Sequence, residues 1–120
     1  MRVSSAKAKG RRLQQDVCKA LLGVGIGLNE DDIRSTSMGA GGEDILLSQE
    51  ARRQFPFSIE CKNVERFSIW PAIDQARQNC REDNTPLVVF KKNREDAQIS
   101  LPFEKFLEIY KVYLDVKEDK

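Results

Sequence analysis

Three features of this sequence predict an α/β fold, a mixed central sheet flanked by helices in the order α-β-β-β-α-β-β-α. Residues from about 5 to 24 repeat apolar side chains at helical spacing. Short apolar runs then fall near 31–37, 44–48 and 55–62, close enough together for an antiparallel meander. A second helical stretch separates the last of these from Thr85-Pro86-Leu87-Val88-Val89-Phe90, the clearest buried strand, which suits a crossover to a parallel neighbour.

In the first helix Leu13, Val17, Ala20, Leu21 and Val24 form one stripe, with Arg12, Gln15 and Lys19 opposite. Gln14 sits at the edge of that stripe, placed to reach a partly buried site, whereas Asp16 lies on the opposite flank. Gly23, Gly25 and Gly27 end the helix. They are no dinucleotide fingerprint, because the third glycine is misplaced and they follow a helix rather than a strand. Asp31 to Ser37 is a weakly signalled first strand. Met38-Gly39-Ala40-Gly41-Gly42 must be irregular, and it lacks the Gly-Lys-Ser/Thr of a nucleotide-triphosphate loop. It is either a flexible turn or a place where backbone or nucleic acid comes close to Asp44.

Asp44 to Ser48 reads as the second strand, Gln49 to Gln54 as a polar connection, and Phe55 to Lys62 as the third strand. A helix with Pro71 in its first turn follows, its core stripe Ile69, Ile73, Ala76 and Cys80, with Gln75 and Asn79 off that stripe. Phe67 and Trp70 nearby suit the core, base stacking being the alternative. The charged turn Lys91 to Asp96 leads to a short strand at Ala97 to Ser100. The last helix starts at Pro102, with Phe103, Phe106, Leu107, Tyr110 and Leu114 on one face.

The 120 residues show no composition break, so one domain is expected, with 1–6 and 116–120 as its loose ends. Cys18, Cys61 and Cys80 are odd in number and widely spaced, which fits reduced thiols better than a disulfide framework or zinc site. No apolar run reaches membrane-spanning length, and the first residues lack a signal peptide's apolar region, so a cytoplasmic protein is expected. The absence of histidine excludes Ser-His-Asp and Cys-His catalysis and every histidine-metal site. Net charge is only +1, yet residues 1–20 hold Arg2, Lys7, Lys9, Arg11, Arg12 and Lys19 against the single acid Asp16. A basic arm of this kind suits a polyanion, or is an ordinary solvated helix start.

The third strand carries the chemistry. Phe57, Ile59 and Cys61 point to one face and Ser58, Glu60 and Lys62 to the other. Glu60 and Lys62 therefore sit ~6–7 Å apart at their Cα atoms. With Asp44 on a neighbouring strand, two carboxylates and an ammonium converge, and the Cys61 carbonyl supplies a further oxygen. Mg²⁺ takes such oxygen ligands while keeping several waters, polarises a phosphate and lowers the pKa of bound water. A nearby lysine orients the attacking water or compensates developing charge. Read blandly, Glu60 and Lys62 are a solvated strand face and Asp44 a turn residue.

Asp44, a spacer, then Glu60-Cys61-Lys62 on a strand resembles the core of the PD-(D/E)XK nuclease superfamily, closest to its archaeal and phage Holliday junction resolvase-like branch, over residues 7–110. In that branch Lys-Gly and then a glutamate open the first helix, as Lys9-Gly10-x-x-x-Gln14 does here. A small residue and an Asp start the second strand, as in Gly42-Glu43-Asp44, and a glutamine lies in the helix after the E-x-K strand. The resemblance implies a restriction-endonuclease-like sheet and a Mg²⁺-dependent DNA endonuclease, with Mn²⁺ as substitute. Asp44, Glu60 and the Cys61 carbonyl would hold metal, Lys62 would be the catalytic lysine, and Gln75 (or Gln78) would hold phosphate or water. Lys9, Arg11, Arg12 and Lys19, with Ser37, Gly39 and Gly41 of the glycine-rich segment, would contact branched or duplex DNA. A homodimer in a prokaryotic or phage-infected cytoplasm is implied, with no nucleotide cofactor and no membrane.

Two positions depart from that pattern. Glu43 stands where a proline often precedes the Asp, and Gln14 where the first helix carries its acid. Gln14 can offer a carbonyl oxygen but no charge, which leaves one metal or two open and adds it to the candidate ligands. The competing readings are a sequence-specific homing or restriction-type enzyme, a catalytically inactive nucleic-acid-binding domain, and an interaction module with an incidental E-x-K.

Overall fold

The computed structural model describes residues 3–36 and 42–119, so the proposed DNA contacts at Ser37, Gly39 and Gly41 lie outside the described residues. In order, the elements are α1 (Val3–Val24), β1 (Ile33–Ser35), β2 (Ile45–Leu47), α2 (Gln49–Gln54), β3 (Phe57–Asn63), α3 (Ile69–Gln78), β4 (Thr85–Lys91), β5 (Gln98–Ser100) and α4 (Phe103–Glu118). The fold is mixed α/β, as expected. The order gains a helix, because the polar connection Gln49–Gln54 is α2. Its signals are local: the Ser48 hydroxyl accepts the Ala51 N–H at 3.1 Å as N-cap, Glu50 lies in the first turn, and Arg52 and Arg53 lie in the last. Six residues with one fully buried side chain, Ala51, are too few to show helical periodicity.

The expected single sheet is divided. β1 and β2 pair antiparallel, while β3 pairs parallel with β4 and β4 antiparallel with β5. Helix α3 makes the crossover between the parallel strands. The ladder between β2 and β3 stops early because Ser48 draws the chain out of β2: its hydroxyl caps α2 and donates to Asp32 Oδ1 at 2.6 Å. One backbone bond remains at the junction, Asp44 N–H to the Ile59 carbonyl at 3.0 Å.

Each face of β3 meets a different helix. Ile59 and Cys61 join Leu13 and Cys18 of α1, with Ile33, Ile45, Ala51 and Val89, in the larger core. On the other face Ala72 and Ala76 of α3 pack on Val88, with Phe67, Ile73 and Phe90 around them. Phe67 stacks on Phe90 at 4.8 Å, so its core assignment holds, whereas Trp70 is 67% exposed. Helix α4 has the expected apolar face, but none of its residues is buried. An apolar stripe states that a helix needs cover, not what supplies it. All three cysteines are free, and no helix among the described residues is long and apolar enough to cross a membrane.

Candidate active site

Asp44 occupies the gap between the two sheets. Its backbone carbonyl accepts from the Thr36 N–H (2.9 Å) and hydroxyl (3.2 Å), its N–H donates to Ile59, and its Oδ2 accepts the Cys61 N–H at 2.7 Å. The carboxylate thus completes the β3 edge as a missing strand would. N–H and C=O of one strand residue point to the same edge. The Cys61 carbonyl therefore lies on the Asp44 side, where β3 pairs with no strand among the described residues.

Glu60 lies between, on the opposite pleat and only 2% exposed. Its Oε1 accepts from Asn79 Nδ2 at 2.9 Å. Burial pushes its carboxyl up to about 7. The Asn79 hydrogen bond pulls it down, the nearby Asp44 carboxylate raises it, and the Lys62 ammonium lowers it. Lys62, on the same pleat and half-buried, makes no ion pair among the described residues. Burial also drives the Cys61 thiol far up, so it is neither nucleophile nor thiolate ligand.

Gln14, on the helix that packs across β3, is buried, and its Oε1 has no hydrogen-bond partner among the described residues. A buried amide oxygen left unpaired costs about 1–3 kcal/mol. The Asp44 carboxylate stands near enough to Glu60 to raise it, and Gln14 adds an unpaired buried amide oxygen on α1; oxygen donors of these kinds are what a hard divalent cation takes. Only two of the donors are acidic, in keeping with the absence of any three-residue His/Cys/Asp/Glu cluster among the described residues.

Other expectations change. Gln75 and Gln78 are both exposed on α3, and the residue one turn on from Gln75, Asn79, is the one that reaches Glu60. Its place off the helix's apolar stripe was the available signal. Lys9 is buried, with Nζ 3.5 Å from Glu65 Oε2, and its carbonyl accepts from Asn63 Nδ2 at 3.2 Å. It pins α1 to the segment after β3 instead of facing outward, because Glu65 is held in place by the Asn93 N–H at 2.7 Å. Arg11, Arg12 and Lys19 remain exposed along α1.

Glu43 is the residue that sequence reasoning undervalued. It is buried and takes a bidentate pair from Arg52 (3.0 and 3.2 Å) and a third bond from Arg81 Nε at 2.8 Å. Burial pushes its carboxyl up, but the Ser58 hydroxyl, Arg52 and Arg81 outweigh that and hold it below its ordinary value. Arg81 also donates its N–H to Ser58 Oγ at 3.0 Å. The triad ties α2 and the segment after α3 to the residue beside Asp44, and so sets where the carboxylate falls. Its Arg81 arm is absent from any local pattern, lying 38 residues away. Glu43→Gln is expected to cost ~2–3 kcal/mol, since it leaves the mostly covered Arg52 guanidinium without its counter-charge. Urea unfolding within ~0.5 kcal/mol of the parent would show that the triad is not a clamp.

A family model described as "Phage putative PDDEXK endonuclease" matches residues 5–119. No curated protein and no solved structure matches the chain significantly. The family match spans α1 through α4 and includes Asp44 and the Glu60-x-Lys62 strand together. On that match, and with the carboxylate pair the fold assembles, the chain belongs to this phage PDDEXK endonuclease family.

Proposed function

We propose that this protein is a metal-dependent DNA endonuclease that hydrolyses phosphodiester bonds, structure-selective in the manner of a Holliday junction resolvase. The observation that carries the reading is the pairing of Asp44, locked to the β3 backbone, with the buried Glu60, whose carboxyl is raised into the neutral range. Two carboxylates held that way are poor structural choices unless a cation joins them.

Asp44, Glu60 and the Cys61 carbonyl would hold Mg²⁺, or Mn²⁺ in its place, with Gln14 offering a neutral fourth oxygen. When bound, the cation supplies Lewis-acid polarisation of the phosphate and lowers the pKa of a coordinated water. The chain's own part is then positional. Asn79 fixes the rotamer of Glu60, and the Thr36 and Cys61 bonds fix Asp44. Lys62, in no ion pair among the described residues, offers its ammonium to the charge developing on the phosphate. Arg11, Arg12 and Lys19 supply sequence-independent phosphate contacts along α1, whose affinity falls steeply with salt. The setting is the cytoplasm of a phage-infected or prokaryotic cell.

A cleavage panel tests this. Four-way junction, flap and plain duplex DNA are incubated with the purified chain in Mg²⁺, Mn²⁺ or EDTA. Nicking in either cation, strongest on the junction and absent in EDTA, is expected. Tight binding without cleavage in either cation would favour the inactive DNA-binding reading, which the neutral Gln14 supports. Cutting at one duplex sequence would favour a restriction-type or homing enzyme.

A further inference from the structure

Helix α4, and the part of the three-stranded sheet that α1 does not reach, are each left open within one chain. On α4, Phe103, Phe106, Leu107, Tyr110, Tyr113 and Leu114 are all exposed. At 100° per residue they share a face about 120° wide, the width of a helix that packs on a core. Its rings run as a ladder, with centroids 6.5 Å (Phe103–Phe106), 5.6 Å (Phe106–Tyr110) and 5.4 Å (Tyr110–Tyr113) apart. Opposite in shape, an open cavity of about 410 Å³ between α1 and the sheet is lined by Val17, Leu21, Phe57, Leu87, Val89 and Ile99. Monomers seldom leave apolar surfaces of this extent in water.

The chain's own α4 is badly placed to fill that groove. Ile99 pairs with Val89 on the α1 side, Ser100 with Val88 on the α3 side. The chain then continues on the α3 side, where Pro102 and Phe103 line a hollow with Trp70, Ile73 and Val88. To reach the groove, α4 would have to turn back around β5, the sheet's edge strand. A second copy meets no such obstacle. One convex and one concave apolar surface per chain are the two halves of a two-fold exchange.

We propose that α4 is a dimerisation arm whose aromatic face seats in the groove between α1 and β3–β4–β5 of a second copy, reciprocally. Each α4 is ~24 Å long. Two helix-in-groove contacts, each built on four aromatic side chains, bury on the order of the 1,200–2,000 Å² that stable protein interfaces need. Assembly by this route is independent of the nuclease chemistry, since it uses none of the site residues.

Sedimentation of the full chain tests it without any substrate. The parent is expected to be a dimer. Tyr110→Lys with Leu114→Lys on the arm, and separately Ile99→Lys in the groove, should each raise the dimer dissociation constant by roughly 30-fold or more. Far-UV circular dichroism should be unchanged in both, because all three positions are exposed in the single chain. In a Cys80→Ser background, mixing the Ala20→Cys and Tyr113→Cys proteins should give a disulfide between unlike chains. A parent that is monomeric at every concentration overturns the proposal. So does a dimer that Ile99→Lys leaves intact and that cross-links only through Tyr113→Cys on both chains, because α4 would then pair with α4 and leave the groove free.

Discussion

Glu60→Gln and Lys62→Met will each lower cation-supported DNA cleavage by about 10²–10³-fold or more while leaving DNA affinity within roughly threefold. Glutamine has the shape of the protonated acid, and burial already pushes the Glu60 carboxyl up to about 7. The Oε1 that accepts from Asn79 is retained, so the fold should be as stable as the parent or more so. Only the negative charge offered to a cation is lost. Lys62 makes no ion pair among the described residues, and methionine keeps its packing stem, so this variant tests the ammonium rather than the fold. Single-turnover cleavage on whichever DNA the parent cuts, beside a binding titration, is the measurement. If both variants cut at the parental rate, catalysis does not reside on β3.

The second large effect is on stability. In the cation-free protein the folded Glu60 carboxyl titrates about 7, against about 4.5 for an ordinary glutamic acid. Between those values the folded state binds more protons than the unfolded one, so stability falls as pH rises through the window and is level above it. The full swing is at most about 3.5 kcal/mol, at ~1.4 kcal/mol per unit. Glu43 acts oppositely: its carboxyl lies below its ordinary value, so its contribution is present above about 4.5 and lost as pH falls. That contribution is gained around the ordinary carboxylate range, which leaves Glu60 to set the slope nearer neutral pH. A cation that binds only the folded, ionised pair should flatten or reverse that slope, adding ~2.7 kcal/mol at a concentration 100 times its dissociation constant. Urea unfolding from pH 5 to 8, in EDTA and in Mg²⁺, measures this, with Glu60→Gln expected to lose both effects. Superimposable curves with and without Mg²⁺ at pH 8 would remove the cation from the site.

Part of the candidate site's geometry was legible in local pattern. Alternation along Phe57–Lys62 places Glu60 and Lys62 on one pleat whatever surrounds the strand, and β3 spans those residues, though its centre is buried on both faces. The extent of α1 and the crossover through α3 follow from periodicity and from Pro71. Helix α2 was missed although Ser48 and Glu50 marked its start, because a helix of six residues is too short to repeat an apolar face. Gln75, with Gln78 as its alternative, was the expected helix residue and Asn79 was not, because a spacing rule cannot say where a helix end stands relative to a strand that begins 21 residues before it.

By itself, then, the sequence determined the periodic quantities: which residues share a strand face, where most helices run, and which chemistries the lack of histidine excludes. Tertiary structure alone decided the pairings between distant segments. It closed Arg52 and Arg81 on Glu43, set Asp44 against the Cys61 N–H, buried Lys9 against Glu65 and Gln14 against the core, and left α4 uncovered. The reason is physical. Periodicity is set by backbone geometry within a few residues, whereas partners and burial depend on which surfaces the packed segments finally bring together.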